Sequence, residues 1–276
     1  MKIFGIIILV LAGIILLVIA VLGVLRIVDE SRVNRIWSSL QVSGDLEKVF
    51  SQAAVEGLPE LAQRYLLHAI KPGTPLARRA ELKMSGMLKP KEDGTWMPLQ
   101  ATQILTPGRG FIWKAKAKAV GPVFMRATDH YADGSGRMRI SLLGLLPIVN
   151  ASNPDIAKSA AGRLLGESCW LPTTFLPQYG AVWQEVDSLH AKVTVTVDDL
   201  TATLILTIDE EGRLKEVVLP RWKDDIKEYV PFGVVIKEEQ EFGGYTIPSR
   251  VHGGWWFGSE QYAEFFRFTI EQAKFY

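Results

Sequence analysis

The sequence predicts a mainly β (α+β) protein: one large curved antiparallel sheet or partial barrel, covered by one or two helices and preceded by a single transmembrane helix. Three observations predict this fold class. Residues 3–25 form an uncharged apolar run. About ten later segments alternate apolar and polar residues with a period of two. There is no βα repeat with parallel crossovers, which disfavours doubly wound and TIM-barrel folds.

The composition describes a globular chain and excludes several classes of protein. The 276 residues include 31 Lys and Arg, 30 Asp and Glu, and one Cys. These values exclude a disulfide-stapled miniprotein, a disordered acidic tail and a strongly basic nucleic-acid binder. No nucleic-acid partner is therefore expected.

Residues 3–25 are predicted to form a membrane anchor. The run contains no charge, and only Gly5, Gly13 and Gly23 interrupt its aliphatic side chains. As a helix it reaches about 34 Å, enough to cross the roughly 30 Å hydrocarbon core of a bilayer. A cleaved signal peptide is the alternative, but its apolar region is only about 7–15 residues long and ends in a small-x-small site. The run is longer and lacks such a site, so an uncleaved single span is favoured.

The chain is predicted to have three parts: an anchor at residues 1–26, a connector at 27–56 and a curved antiparallel β domain at 57–276. The connector is interpreted as a solvated tether with helical fragments near 32–40 and 45–54. It lifts the domain off the bilayer in this interpretation.

The flanking charges and the lone thiol leave the side of the membrane open. Lys2 and the α-amino group precede the apolar run, whereas Arg26, Arg32 and Arg35 follow it. Counting Lys and Arg alone places the domain in the cytoplasm. The lone Cys169 makes no intramolecular disulfide and suits either compartment.

Two helices are predicted within the domain. Apolar residues recur at steps of three and four through residues 58–71, until Pro72 ends the pattern. A second helix, near 154–170, begins with Asn153 as N-cap and Pro154 at the first helical position.

The strands are predicted from period-two alternation and from short polar loops with glycine, which suit antiparallel hairpins. They are expected near residues 79–85, 111–119, 123–132, 137–143, 191–197, 202–208, 214–220, 234–242, 245–257 and 264–275. A sheet of this size must close, split or be covered, because an open edge pairs with other chains. The economical arrangement is a partial barrel whose concave face holds the second helix.

Several tracts in order along residues 58–257 resemble a family of functionally uncharacterised bacterial membrane-anchored proteins. They include Pro72-Gly73-Thr74-Pro75, Gly110-Phe111-Ile112-Trp113, Leu143-Gly144-Leu145-Leu146-Pro147 and Trp170-Leu171-Pro172-Thr173. The resemblance implies a fold similar to the lipoprotein-carrier-like half-barrels that hold acyl chains in bacterial envelopes. It also implies a single-pass protein of the bacterial inner membrane with an extracytoplasmic domain. It supplies no catalytic residue.

Candidate ligand contacts are the aromatic and polar side chains expected on the concave face. Arg163 and Glu167 are one helical turn apart and can pair; inside an aromatic cup such a pair can anchor a ligand head group. Asp129 and Tyr131 share a face of their strand, whereas His130 points to the other face. The structural alternatives are core packing for the tryptophans and a simple hydrogen-bonded pair for Asp129. The predicted ligand-binding residues are Trp96, Phe111, Trp113, Asp129, Tyr131, Arg163, Glu167, Trp170 and Trp255.

No metal site, cofactor or catalytic residue is predicted. The four histidines are 60 or 62 positions apart and share no ligand motif. Lys114, Lys116 and Lys118 lie on one face of a strand, which indicates a solvated face or contact with anionic lipid head groups. The other face of that strand leaves room for a packed helix or a ligand, because it carries Ala115, Ala117 and Ala119.

Together these observations predict a membrane-anchored binding protein that holds a lipid-like or other amphiphilic ligand in a curved β-sheet cup. Two alternatives stay open: an enzyme with a polar site near Asp129, Tyr131 and Glu167, and a non-catalytic scaffold for envelope assembly. A binding protein is favoured over an enzyme. The expected partners are the membrane, through residues 3–25, and the amphiphile.

Overall fold

The computed structural model describes residues 2–41, 45–91, 93–119, 121–197 and 200–276. The α-helices in these residues are α1 (Lys2–Ser39), α2 (Glu60–Ala69) and α3 (Pro154–Gly166). Short 3-10 helices occupy Gln52–Val55, Glu167–Trp170, Pro172–Phe175 and Pro177–Tyr179. As predicted, the side chain of Asn153 caps α3 by accepting a hydrogen bond from the backbone N–H of Ile156 (2.9 Å).

The strands form one small and one very large antiparallel sheet. β1 (Asp45–Val49) pairs with β2 (Pro75–Leu76). The other strands are β3 (Ala80–Leu88), β4 (Met97–Thr106), β5 (Gly110–Lys118), β6 (Phe124–Ala132), β7 (Ser135–Leu142), β8 (Leu146–Ala151), β9 (Val182–Glu185), β10 (His190–Val197), β11 (Leu200–Ile208), β12 (Leu214–Lys223), β13 (Glu228–Phe242), β14 (Tyr245–Trp255) and β15 (Ala263–Phe275). These thirteen make one sheet in the order β8-β7-β6-β5-β4-β3-β15-β14-β13-β12-β11-β10-β9. The predicted fold class is confirmed.

Three strands of the large sheet, β4, β8 and β9, were absent from the sequence prediction. Pro98 and Pro147 interrupt the alternation at the starts of β4 and β8, and proline is typical of strand ends and edges rather than strand interiors. β9 is an edge strand of only four residues. Each therefore gives a weak local signal.

The sheet curves around α3, because that helix contacts strands that are far apart in the sheet order. A Cβ at Gly136 of β7 would lie 2.6 Å from the Cα of Ala157, and a Cβ at Gly162 of α3 would lie 3.0 Å from Cγ of Arg221 on β12. β7 and β12 are eight strand positions apart, which is about 38 Å in a flat sheet. An α-helix is only about 10 Å wide. The strands therefore wrap around α3 as a cup, with the helix on the concave face.

Hairpin connections alternate between the two ends of the cup. The open rim is the end that carries the β5–β6, β7–β8, β12–β13 and β14–β15 connections. The closed rim is the end that carries the β4–β5, β6–β7, β11–β12 and β13–β14 connections. α2 covers part of the closed rim. A Cβ at Gly212, in the β11–β12 turn, would lie 2.6 Å from the carbonyl oxygen of Arg64 in α2. Tyr245, which begins β14, donates its hydroxyl proton to the carbonyl of Pro75 (2.5 Å).

The second half of α1 packs on the convex face of the sheet. Val33 and Leu40 are buried with Ile104 of β4 and Ile112 of β5. Asp29 accepts hydrogen bonds from Arg137 (2.5 Å) and Arg139 (2.6 Å) of β7. Residues 26–40 are thus not the solvated tether expected of the connector, because their apolar side chains complete a small core against the sheet.

Two further expectations for the connector and convex face differ from the structure. Residues 45–49 form strand β1 and residues 52–55 a 3-10 helix, where a helix near 45–54 was expected. Lys114 is not a freely solvated residue, because its ammonium group donates to Oδ1 of Asn34 (2.9 Å) and lies 4.8 Å from the ring centroid of Trp37. Part of the lysine face therefore serves to hold α1.

Candidate functional site

A cavity of about 800 Å³ lies on the concave face of the cup, beside α3. Its volume falls within the roughly 300–1,000 Å³ typical of small-molecule sites. Aromatic side chains contribute much of its wall: Trp113, Trp170, Phe232, Trp255, Phe265 and Phe266. Phe232 packs edge-to-face against Trp255, with 5.0 Å between the ring centroids. The wall is mainly apolar, with a few charged groups at defined positions.

The first charged group is a cluster built on Arg163 of α3. The Arg163 side chain donates from Nε to Oε1 of Glu167 (2.7 Å) and from Nη1 to Oδ2 of Asp129 (2.8 Å). Gln103 Nε2 donates to the other Glu167 oxygen (2.7 Å). Burial alone would lower the pKa of Arg163, but the two carboxylates outweigh it and raise that pKa. We call these residues the Arg163 cluster; each of its charged side chains has a partner within the protein.

The second charged group is Arg221 of β12, which faces the same cavity. The residue is 9% exposed. Its Nε donates to the carbonyl oxygen of Ser159 (3.1 Å), and its guanidinium carbon lies 4.7 Å and 5.0 Å from the ring centroids of Phe232 and Trp255. Among the described residues no carboxylate forms an ion pair with it. Within the described part of the chain, the four N–H groups of its two terminal nitrogens meet no hydrogen-bond acceptor.

Burial affects the charge of Arg221 without removing it. Burial, together with the positive charge of Arg163, lowers the pKa of Arg221 to about 10, and the negative charges of Asp129, Glu167 and Asp224 act in the opposite direction without cancelling it. The guanidinium is still protonated at neutral pH. The cavity wall thus holds a cation that is desolvated by its surroundings and has donors available for an acceptor in the cavity.

The structure brings together six of the nine predicted ligand-binding residues. Those that line the cavity are Trp113, Asp129, Arg163, Glu167, Trp170 and Trp255. Phe111 is fully buried beneath Arg163, whose guanidinium carbon lies 4.9 Å from the Phe111 ring centroid. Tyr131 is buried in the core, away from the cavity wall. Trp96 lies outside the cavity, near Lys89 and Arg267.

Sequence reasoning missed Arg221 and most of the phenylalanines. The strand prediction ended at Pro220, whereas β12 continues to Lys223. Val217, Leu219 and Arg221 alternate onto the concave face, so an extended strand would have placed Arg221 there. The alternation in β15 does place Phe266 and Phe268 on one face of the strand, but it does not predict them as ligand contacts. No local pattern reveals which of these faces borders an unfilled volume.

Cys169 lines the cavity but is a poor nucleophile. Burial, together with the negative charge of Glu167, raises the pKa of its thiol to about 12. A reactive cysteine requires a thiolate. A second cavity, about 730 Å³ in volume, lies between α1 and the convex face and is lined by polar and charged residues such as Asn34, Lys114 and Arg126.

The sequence matches one family model, and the fold is similar to solved structures. A family model described as a family of unknown function, DUF6920, matches residues 56–275. No curated protein matches the sequence. A LolA superfamily protein from Nitrosomonas europaea is similar in structure at 9% identity, with a TM-score of 0.41, over 78% of this chain and 92% of that chain. A DUF1329 family protein from Desulfovibrio piger is similar at 10% identity, with a TM-score of 0.35, over 78% of this chain and 90% of that chain.

Proposed function

The chain belongs to the DUF6920 family of unknown function, and we propose that it is a membrane-anchored binding protein that holds a lipid-like amphiphile in its cup. The family match confirms the membership that the sequence resemblance indicated. The observation that carries the proposal is the cavity of about 800 Å³ on the concave face. An apolar volume of this size, lined by aromatic rings, favours an apolar occupant, because burying apolar surface stabilises by about 25 cal/mol per Å².

Arg221 supports an amphiphile with an acidic head group. A buried cation with unused donors is unfavourable unless an acceptor meets it. A carboxylate or phosphate ester on the ligand supplies both the charge and the acceptor oxygens that a guanidinium fork prefers. The apolar remainder of the ligand then contacts the surrounding aromatic side chains.

The first half of α1 supports membrane anchoring. Among the described residues, α1 is the one helix that is long and apolar enough, by length and composition, to cross a membrane. Its aliphatic side chains from Ile3 to Leu25 are exposed, except for the half-buried Leu22. A bilayer is the environment in which such a surface is stable. The sequence resemblance favours the bacterial inner membrane, with the domain outside the cytoplasm.

The contacts in the cavity favour binding over catalysis. Asp129 and Glu167 are both paired with Arg163, so the protein itself occupies an oxygen of each carboxylate. Tyr131, the third residue of the alternative enzymatic site, lies in the core rather than at the cavity wall. A ligand that is held, presented or transferred requires only the volume and the cation.

Lipid retention by the full chain tests the proposal. We expect the protein purified in an uncharged detergent to retain lipid that solvent extraction and mass spectrometry detect in near-stoichiometric amount. Val234→Trp places an indole in the cavity from the concave face of β13 and should abolish retention. Ile205→Trp adds the same indole to an exposed position on β11, outside the cavity, and should leave retention unchanged. Lipid at equal levels in both variants, or none in the wild type, contradicts the proposal.

A further inference from the structure

The path of α1 determines which rim of the cup lies next to the apolar run. The carbonyl of Leu40, just after α1, accepts a hydrogen bond from Oγ1 of Thr106 (2.8 Å) at the closed rim. Arg26 lies at the open rim: a Cβ at Gly144, in the β7–β8 turn, would lie 3.5 Å from Nη1 of Arg26. As a helix, residues 26–40 rise about 21 Å, about the height of a six-residue strand. The helix therefore crosses the convex face from rim to rim, and residues 3–25 continue beyond the open rim.

The mouth of the cavity is at the same rim. Leu88, Lys89 and Lys91 line it where β3 ends, Asp224 where β12 ends and Ala263 where β15 begins. All three strand ends are open-rim ends, because antiparallel neighbours place alternate termini on one side. At the closed rim, α2 and the segment that follows it cover part of the opposite end of the cup.

The open rim also displays exposed apolar side chains. Leu143 and Leu146, beside Arg26 in the β7–β8 hairpin, are 47% and 53% exposed. Ile226 and Tyr229 at the β12–β13 connection and Tyr262 at the β14–β15 connection are exposed as well. Tyrosine is enriched at membrane interfaces, and leucine inserts among the lipids in interfacial segments that also carry basic residues.

The β7–β8 turn holds Leu143 in an unusual backbone conformation. Leu143 and Gly144 have φ values of 54° and 72°, as in the hairpin turns that favour Asn-Gly. A leucine with positive φ is disfavoured by its Cβ, and the exposed side chain gains no core packing in return. The turn thus presents an apolar group where a polar residue would fit the backbone better.

We propose that the open rim rests on the bilayer surface, with the cavity mouth facing the lipid and with Leu143 and Leu146 inserted beside the anchor. This inference rests on the proposed anchoring through residues 3–25. The open rim is expected to contact a lipid surface, because the apolar run leaves the domain at Arg26 and no spacer separates that run from the rim. An amphiphile then passes between the bilayer and the cavity without crossing water.

Site-specific fluorescence in vesicles tests the orientation. The full chain is reconstituted in phosphatidylcholine vesicles with a bimane probe on Leu146→Cys at the open rim or on Leu189→Cys. Leu189 is 41% exposed and lies in the β9–β10 connection, which is at the closed rim because His190 pairs with Thr207 near the end of β11. The native Cys169 thiol, buried and with its pKa raised to about 12, serves as the unlabelled background. Doxyl-labelled lipid should quench the open-rim probe several-fold more than the closed-rim probe, and aqueous iodide should show the reverse.

Each other outcome overturns the inference in an identifiable way. Equal quenching by doxyl lipid, or stronger quenching at Leu189→Cys, means that the open rim does not face the bilayer. An open-rim probe that neither quencher reaches is covered by protein, such as a second copy of the chain. A chain that does not float with the vesicles contradicts the anchoring itself, and lipid retention is judged separately by extraction.

Leu143→Asn separates membrane contact from folding. Asparagine tolerates the positive φ of this turn, so the domain should unfold at the same or a higher denaturant concentration. The loss of an inserted leucine should reduce doxyl quenching of a probe at Leu146→Cys by about half or more. Unchanged quenching with unchanged stability contradicts insertion of this turn.

Discussion

At the residue scale, the two buried arginines of the cup differ in how their charge is balanced. Arg163 is paired with Asp129 and Glu167 in the protein, whereas Arg221 has aromatic faces and one backbone carbonyl. A guanidinium that is paired with carboxylates positions those side chains, whereas one without a carboxylate ion pair can bind an anion. The i, i+4 spacing of Arg163 and Glu167 indicated the first pair, whereas no local pattern indicated that Arg221 is buried without a carboxylate ion pair.

Replacement of Arg221 tests the predicted acidic head group. We expect Arg221→Gln to weaken binding of a fluorescent fatty acid by about 10–100-fold, since a charge-assisted hydrogen bond contributes about 1.5–3 kcal/mol. Binding of the matching fatty alcohol should change little. Fluorescence titration of both ligands measures the preference, with Arg221→Lys as the variant that retains charge. An equal loss for acid and alcohol would indicate a structural role instead.

His130 makes the stability of the domain dependent on pH. Burial, opposed by Asp129 and reinforced by Arg137, lowers the pKa of this histidine. The unfolded chain therefore takes up a proton at its ordinary pKa of about 6.5, while the folded protein stays neutral until lower pH. The free energy of unfolding should fall as the pH drops below about 6.5.

Denaturant unfolding at pH 7.5 and pH 5.0 measures this dependence. The decrease in the free energy of unfolding should be smaller in His130→Gln, which removes the titrating group. His190, partly exposed and beside Asp187, offers the control variant His190→Gln. If His130→Gln keeps the full decrease, the dependence arises elsewhere.

At the element scale, α1 combines two functions in one unbroken helix. Its first half is apolar on every side and exposed, whereas its second half contacts the convex face through Val33 and Asp29. The sequence predicts the first half by composition alone. Docking of the second half depends on β4, β5 and β7, and β4 is a strand that the sequence did not reveal.

Asp29 is expected to hold the second half of α1 against the sheet. Asp29→Asn leaves Arg137 and Arg139 with a neutral acceptor, which should lower the free energy of unfolding by about 1–3 kcal/mol. Amide hydrogen exchange in residues 26–40 should accelerate. Asp133→Asn, in the exposed β6–β7 turn, is the control and should change neither. Unchanged exchange in Asp29→Asn would show that apolar packing alone holds the helix.

At the scale of the whole molecule, the cup forms because thirteen strands in one sheet must curve around α3. A flat sheet of this width would leave its concave side chains exposed. The helix fills only part of the volume that the sheet encloses. The unfilled part becomes the cavity, and its mouth lies at the rim from which the apolar run departs.

The sequence by itself determined the strand-rich class, the apolar run and the capped helix α3, because these depend on neighbours within a few positions along the chain. Side-chain alternation, proline placement and N-cap chemistry are local properties. Tertiary structure alone decided the cavity, the burial of Arg221 without a carboxylate ion pair, and the position of the cavity mouth at the same rim as the anchor. These depend on how far the sheet curves and on which strands meet across it, and contacts between residues distant in sequence set both.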